Sequence, residues 1–282
     1  MVVRTALVTG ANQGIGFHIA RNLLQQEDMT VILGCRSEDR AHEAMDQLAK
    51  LVPRASPGTT LHFVRVDLED VDGIQRVKEA VQKISLQLDI LVNNAGFAFH
   101  GDAPEPVNVQ AAKTVGINYF GTVALTTVLL PLLAPSARVV TLGSRAGLLN
   151  IIPNASIRNE LTDVKTLTFH RLNEMVSMYL AATKSSDLKA LYRSWPDTTY
   201  GMSKVALHAY CRVLSLDPVI RSRNIIVTAC CPGWCQTNMT TFMGHRTAAD
   251  GAKTASWLAL DPSVGSLASG GKMYADEAEI SF

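Results

Sequence analysis

Residues 3–16 read Val3-Arg4-Thr5-Ala6-Leu7-Val8-Thr9-Gly10-Ala11-Asn12-Gln13-Gly14-Ile15-Gly16. Val3–Thr9 has the length and character of a buried strand, and Ile15–Gln26 that of a helix. The glycines between them do mechanical work. Gly10 allows a tight turn off the strand, Gly14 keeps side chains away from an approaching pyrophosphate, and Gly16 lets the helix start close to the sheet. Free N–H groups and the positive dipole end of the helix then favour an anion. The G-x3-G-x-G spacing is looser than G-x-G-x-x-G. Its position after a strand and at the head of a helix nevertheless predicts a dinucleotide turn, with Asn12, Gln13 and Ile15 as its other members.

The same alternation continues outward. Thr30–Cys35, Leu61–Val66, Asp89–Asn93, Ala137–Leu142, Ile225–Cys230 and Gly271–Ala275 are predicted strands, and Glu38–Leu51 and Asp70–Leu86 predicted helices. Apolar strands between helices predict an α/β fold: a single-domain, doubly wound (Rossmann-type) parallel sheet over residues 1–282, helices on both faces. Pro53–Gly58 reads as a connector. Between about 148 and 195 the pattern gives way to a helical insertion, with Leu172, Val176, Tyr179 and Leu180 at helical spacing to pack on the main body.

Composition narrows the classes of function. Hydrophobic residues make up 47% of the 282, charged residues 18%, and the net charge is +1. That balance suits a large core and gives no footprint for nucleic acid or an anionic membrane. Neither an uninterrupted apolar run of membrane-spanning length nor a signal peptide is apparent. Five cysteines, an odd number, argue against a disulfide framework, so the cytosol is the expected compartment. Cys231 and Cys235 have no second ligand pair at metal spacing, and no metal is expected.

The residue after the second strand selects the nucleotide. A carboxylate there would repel a 2′-phosphate, but the chain reads Gly34-Cys35-Arg36-Ser37, so Arg36 and Ser37 favour NADP. Asp67 and Leu68 follow the third strand, placed for the adenine. Asn93-Asn94-Ala95-Gly96 ends the fourth, where small residues let backbone close over a cofactor. Tyr200 and Lys204 lie four apart on one face of a helix starting near Thr198, and the ammonium is expected to lower the phenol's pKa. Ser144, after the fifth strand, can bond a carbonyl oxygen that gains charge. Asn118 is a polar residue inside a long helical segment.

Together these residues resemble the short-chain dehydrogenase/reductase family over nearly the whole chain. Gly10, Gly14 and Gly16 fit its coenzyme loop, Asn93–Gly96 its NNAG element, and Asn118, Ser144, Tyr200 and Lys204 its tetrad, in order. Within the family, the likeness is to the monomeric NADPH-dependent carbonyl reductases. It rests on the glycine loop, Arg36, Cys230-Cys231-Pro232-Gly233-Trp234, and the 56 residues separating Ser144 from Tyr200. The resemblance implies a monomer that reduces aldehydes, ketones or quinones. NADPH, its carboxamide held near Pro232, Gly233, Cys235 and Thr237, would deliver the 4-pro-S hydride. Tyr200 would protonate the oxygen, Ser144 steady it, Lys204 also bind the ribose, and Asn118 support a water relay. Phe97, Phe99, Trp234–Met243, the Ile151–Pro153 region and Trp195 are expected to wall the substrate pocket. Gln13 stands where these reductases usually carry lysine, which removes one phosphate contact. An alcohol or steroid dehydrogenase and a non-catalytic nucleotide sensor are the competing readings.

Overall fold

In the computed structural model, residues 3–52, 58–264 and 271–282 are described; most of the Pro53–Gly58 connector lies outside them. β1 (Arg4–Thr9) leads to α1 (Gly14–Leu24), β2 (Met29–Cys35), α2 (Glu38–Leu51), β3 (Thr60–Arg65), α3 (Val71–Gln82) and β4 (Leu88–Asn93). Next come α4 (Val107–Val115), a π-helical turn at Gly116–Gly121, α5 (Thr122–Leu129) and β5 (Leu133–Leu142). The insertion contributes α6 (Ala155–Thr162), α7 (Phe169–Ala182) and α8 (Leu188–Ser194). α9 (Thr199–Ser215), α10 (Pro218–Ser222), β6 (Ile226–Cys231), α11 (Ala248–Leu260), β7 (Met273–Ala275) and β8 (Ala278–Ile280) complete the order.

The strands form one sheet in the order β3-β2-β1-β4-β5-β6-β7-β8, parallel except for β8. β8 is absent from the sequence reading. It returns through Asp276 and Glu277, both at positive φ, a hairpin geometry more often signalled by Asn-Gly. β5 starts four residues earlier than expected, because Leu133 pairs with Leu88 across an irregularity before the regular ladder resumes.

Alternation along β1 explains the two-sided core. Ala6 and Val8 pack with α1, α2 and α11, while Leu7 faces a second cluster built on α3, α4, α5 and α9. The insertion joins that second face: Leu172, Met175, Val176 and Tyr179 of α7 are buried, and α7 packs on α4 and α9. Tyr119 reinforces the contact by donating to Asn173 Oδ1 at 2.9 Å. Val107–Leu132 is a continuous 26-residue helical run, apolar and long enough to cross a membrane by composition alone. Here it supplies Val115, Tyr119, Leu125 and Leu129 to the core.

Candidate active site

The strand order reverses between β1 and β4, and a cleft of about 370 Å³ opens there, beyond the carboxyl ends of the strands. Gly10, Asn12, Gln13, Gly14 and Ile15 line it. Gly14 has φ +57°, and Gly16 lies beneath the loop, where a Cβ would sit 2.4 Å from Asn94 Nδ2 and 2.5 Å from Gly10 O. Side chains from β1 and β4 hold this close approach. Asn94 Nδ2 donates to Thr9 O at 2.7 Å, and Thr9 Oγ1 accepts from the backbone of Asn94 and Ala95 at 3.0 and 2.9 Å. Asn93 instead reaches α5, donating to Thr126 Oγ1 at 3.0 Å.

The far end of the cleft is open and charged. Arg36, Ser37, Asp67 and Leu68 line it, as does Arg40, one helical turn beyond Arg36. Ser37 is partly engaged already, since its Oγ accepts from Arg40 N as the cap of α2. Glu69 supplies the carboxylate that the segment after β2 lacks. It lies 3.7 Å from Arg36 and 4.0 Å from Lys113.

The opposite end is more enclosed, its lining half-buried around a buried Lys204. Thr198 caps α9, its Oγ1 accepting from Gly201 N at 3.0 Å, and the helix then carries Tyr200 and Lys204 on one face. Tyr200, Lys204, Ala95, Gly96 and Phe97 line the cleft. Ser144 sits half-buried at the head of a 3₁₀ turn, Arg145–Gly147, within side-chain hydrogen-bonding distance of Tyr200. Lys204 is buried, makes no ion pair among the described residues, and donates to Leu142 O at 2.7 Å. Burial lowers its pKa to about 8.

Tyr200 departs from the sequence expectation. Burial pushes the phenol up to about 12; the Ser144 hydrogen bond pulls it down and nearby Cys231 raises it. The Lys204 ammonium stands 5.6 Å from the ring centre, occupied by a carbonyl. Desolvation is the largest influence on it, and at neutral pH the group is a neutral phenol.

Asn118 is anchored through its side-chain amide. Its Oδ1 accepts from Phe97 N at 2.7 Å, and its Nδ2 donates to Phe97 O and Ser203 Oγ, both at 2.9 Å. Ser203 Oγ in turn donates to Tyr200 O at 2.7 Å. Both amide hydrogens are spent clamping the segment after β4 to the Tyr200 helix. The π-helical turn delivers Asn118 to that point.

The segment after β6 closes over the cleft. Pro232, Thr237, Asn238, Met239 and Phe242 line it, with Thr241 and Phe242 at positive φ. Gln13 Oε1 accepts from Asn238 Nδ2 at 2.8 Å, so the residue standing where lysine is usual ties the glycine loop to this cover. Gly233 and Cys235 lie outside the lining. Gly233 faces Arg246, and the buried Cys235 thiol donates to Pro232 O at 3.3 Å. Cys231, also buried, accepts from Arg145 N and Gly233 N at 3.3 and 3.4 Å. Trp234 is half exposed beside His245 and does not line the cleft. Trp195 and Ile152 are core residues, Trp195 edge-on to Tyr179. Phe97 and Phe99 meet edge-to-face at 4.9 Å.

A family model described as short chain dehydrogenase matches residues 4–156. The chain belongs to the short-chain dehydrogenase family. It is 36% identical over 261 residues to carbonyl reductase (NADPH) 3 of Mus musculus, covering 92% of this chain and 91% of that one. Carbonyl reductase (NADPH) 1 of Bos taurus is 34% identical over 260 residues, with the same shares covered. Among solved structures, salutaridine reductase from Papaver somniferum superposes with a TM-score of 0.81 at 30% identity, covering 97% of this chain and 99% of that one. Menthone neomenthol reductase from Mentha piperita gives 0.80 at 26%, covering 98% and 99%.

The cleft of this short-chain dehydrogenase fits a dinucleotide on its own geometry. α2, α3, α9 and α11 each carry a side-chain cap, whereas α1 has none and no acidic residue in its first turn. Its free N–H groups therefore face the cleft behind the glycine loop, where a phosphate can satisfy them. Sequence reasoning missed Thr9, Arg40, Ser203 and His208, and included Asn238 only within the Trp234–Met243 wall. Arg40 and His208 were findable, since each lies one helical turn beyond a singled-out residue. Thr9 and Ser203 act through contacts distant in sequence and left no local pattern.

Proposed function

We infer that this chain is an NADPH-dependent reductase of aldehydes, ketones or quinones. The observation that supports this reading best is a nucleotide cleft lined by the glycine loop and Arg36 at one end and by Tyr200 and Lys204 at the other, with Ser144 beside the phenol. Gly10–Ile15 would hold the pyrophosphate, Arg36, Ser37 and Arg40 the 2′-phosphate, Asp67 and Leu68 the adenosine, and Asn94–Gly96, Pro232 and Thr237 the nicotinamide half. When bound, NADPH supplies a hydride to the carbonyl carbon. Ser144 and Tyr200 position the carbonyl oxygen between two hydroxyl donors, and Tyr200 gives it the proton it needs as charge develops. A phenol at about 12 is fully protonated at neutral pH, so it already holds the proton that a reduction consumes. Lys204 acts after that transfer: its charge, 5.6 Å from the ring centre, favours the phenolate left behind.

Phe97 and Phe99, with Met239 and Phe242 of the cover, favour flat apolar carbonyls. The packing of α7 on α4 and α9 supports one domain acting as a monomer, and five buried, unpaired cysteines support the cytosol. A panel of quinones, aromatic aldehydes and ketosteroids, assayed with NADPH and with NADH, tests the reading. Turnover with NADPH is expected to exceed that with NADH, and the reverse would overturn the roles of Arg36 and Arg40. Gel filtration is expected to give one 30.5 kDa species.

A further inference from the structure

His208 lies on α9, one turn beyond Lys204 and two beyond Tyr200, and is 1% exposed. Its ring bridges the two ends of the Ser144 turn. Nε2 accepts from Ser144 N at 3.2 Å, and Nδ1 lies 2.9 Å from Gly147 O. A carbonyl can only accept and an amide N–H can only donate, so the ring is the neutral Nδ1–H tautomer. The packing leaves no slack. A Cβ on Gly143 would come 2.0 Å from Nε2, and one on Gly147 would come 2.4 Å from Lys204 Cβ. Phe282 closes the other side, edge-on to the imidazole at 5.4 Å with Arg212 across its own ring.

We propose that His208 is a positioning residue for the reduction: its neutral imidazole clips the Ser144 turn to the Tyr200 helix and sets the serine hydroxyl beside the phenol. The inference rests on the reductase reading. Its chemistry follows from the neighbours. A protonated ring would lose its acceptor for Ser144 N and put a second cation beside Lys204. Burial and Lys204 oppose that, pushing the imidazole down to about 3, so the clip stays in place across the working range of pH.

The test compares His208→Leu, which removes both bonds, with His208→Gln, whose amide oxygen replaces Nε2, and His208→Asn, whose amide nitrogen replaces Nδ1. The expected result for H208L is a fall in kcat of about tenfold or more, with NADPH affinity within twofold of wild type. H208Q should recover most of the rate and H208N little, because Ser144 N is the end that matters. In a Ser144→Ala background, H208L should cost less than a further twofold. An H208L rate within twofold of wild type, losses that multiply in the double variant, or rescue by Asn rather than Gln would each overturn the inference. If H208L does not fold, the ranking of H208Q above H208N decides. A wild-type enzyme inert toward every carbonyl with NADPH would overturn the reductase reading and this inference together; a normal wild-type rate with an indifferent H208L would overturn this inference alone.

Discussion

The two ends of the cleft solve opposite electrostatic problems. At the nucleotide end, Arg36 is 67% exposed and its Glu69 partner 44%, so both remain hydrated and their pairing at 3.7 Å is weak and salt-sensitive. At the catalytic end, burial dominates at Tyr200, Lys204 and His208, and each pKa moves toward the neutral form of the group. In the proposed reduction, charge would choose the nucleotide at one end, and desolvation would keep the acid protonated at the other. The same separation explains why the Tyr200–Lys204 pair does not behave as a surface pair at that spacing would.

Replacing Tyr200 by Phe should have the largest effect. It removes the proton donor while keeping the ring, so kcat is expected to fall by about 10³ with NADPH binding unchanged, as checked by single-turnover NADPH oxidation and fluorescence titration. A loss below tenfold would place the acid elsewhere. Arg36→Ala comes next. NADPH affinity should drop by tenfold or more and NADH affinity should hold, shrinking the nucleotide preference without touching the catalytic end.

The pH profile separates the ends further. Lys204 is charged below about 8 and neutral above it. Its support for the departing phenolate is therefore present at neutral pH and lost on the alkaline side. For reduction, kcat/KM should be level through neutrality, fall above about pH 8, and lose that limb in Lys204→Met. The smallest effect is expected from Glu69→Gln. Freeing Arg36 from its exposed partner should tighten NADPH binding by about twofold to threefold at low salt, and the gain should vanish at high ionic strength.

What could be read from the sequence divides along the same line. The sheet, the glycine turn and the Arg36 end rest on local patterns: apolar strands, glycines at fixed offsets, a cation after a strand. The geometry agrees with them down to the Gly16 contact with Asn94. The buried end was named but its physics was not. A Tyr-x3-Lys spacing announces one helix face. It cannot announce that Leu142 O takes the ammonium, that Asn118 spends its amide on Phe97 and Ser203, or that His208 holds the serine turn. Those depend on contacts 21 to 85 residues apart. Trp195 misled for a related reason: an aromatic residue near the active-site helix in sequence packs behind it against Tyr179. Glu69 escaped because it reaches Arg36 from the loop after β3 rather than from β2.

The proposed reduction requires Tyr200 to wait as a neutral acid rather than a pre-formed phenolate. The most direct test is a pH titration of the protein labelled with ¹³C at tyrosine Cζ, with Tyr200→Phe assigning the resonance. The phenol signal should persist unchanged through pH 9, consistent with ionisation near 12. A phenolate resonance growing in below pH 8 would show that Lys204, not burial, governs the site, and would contradict it.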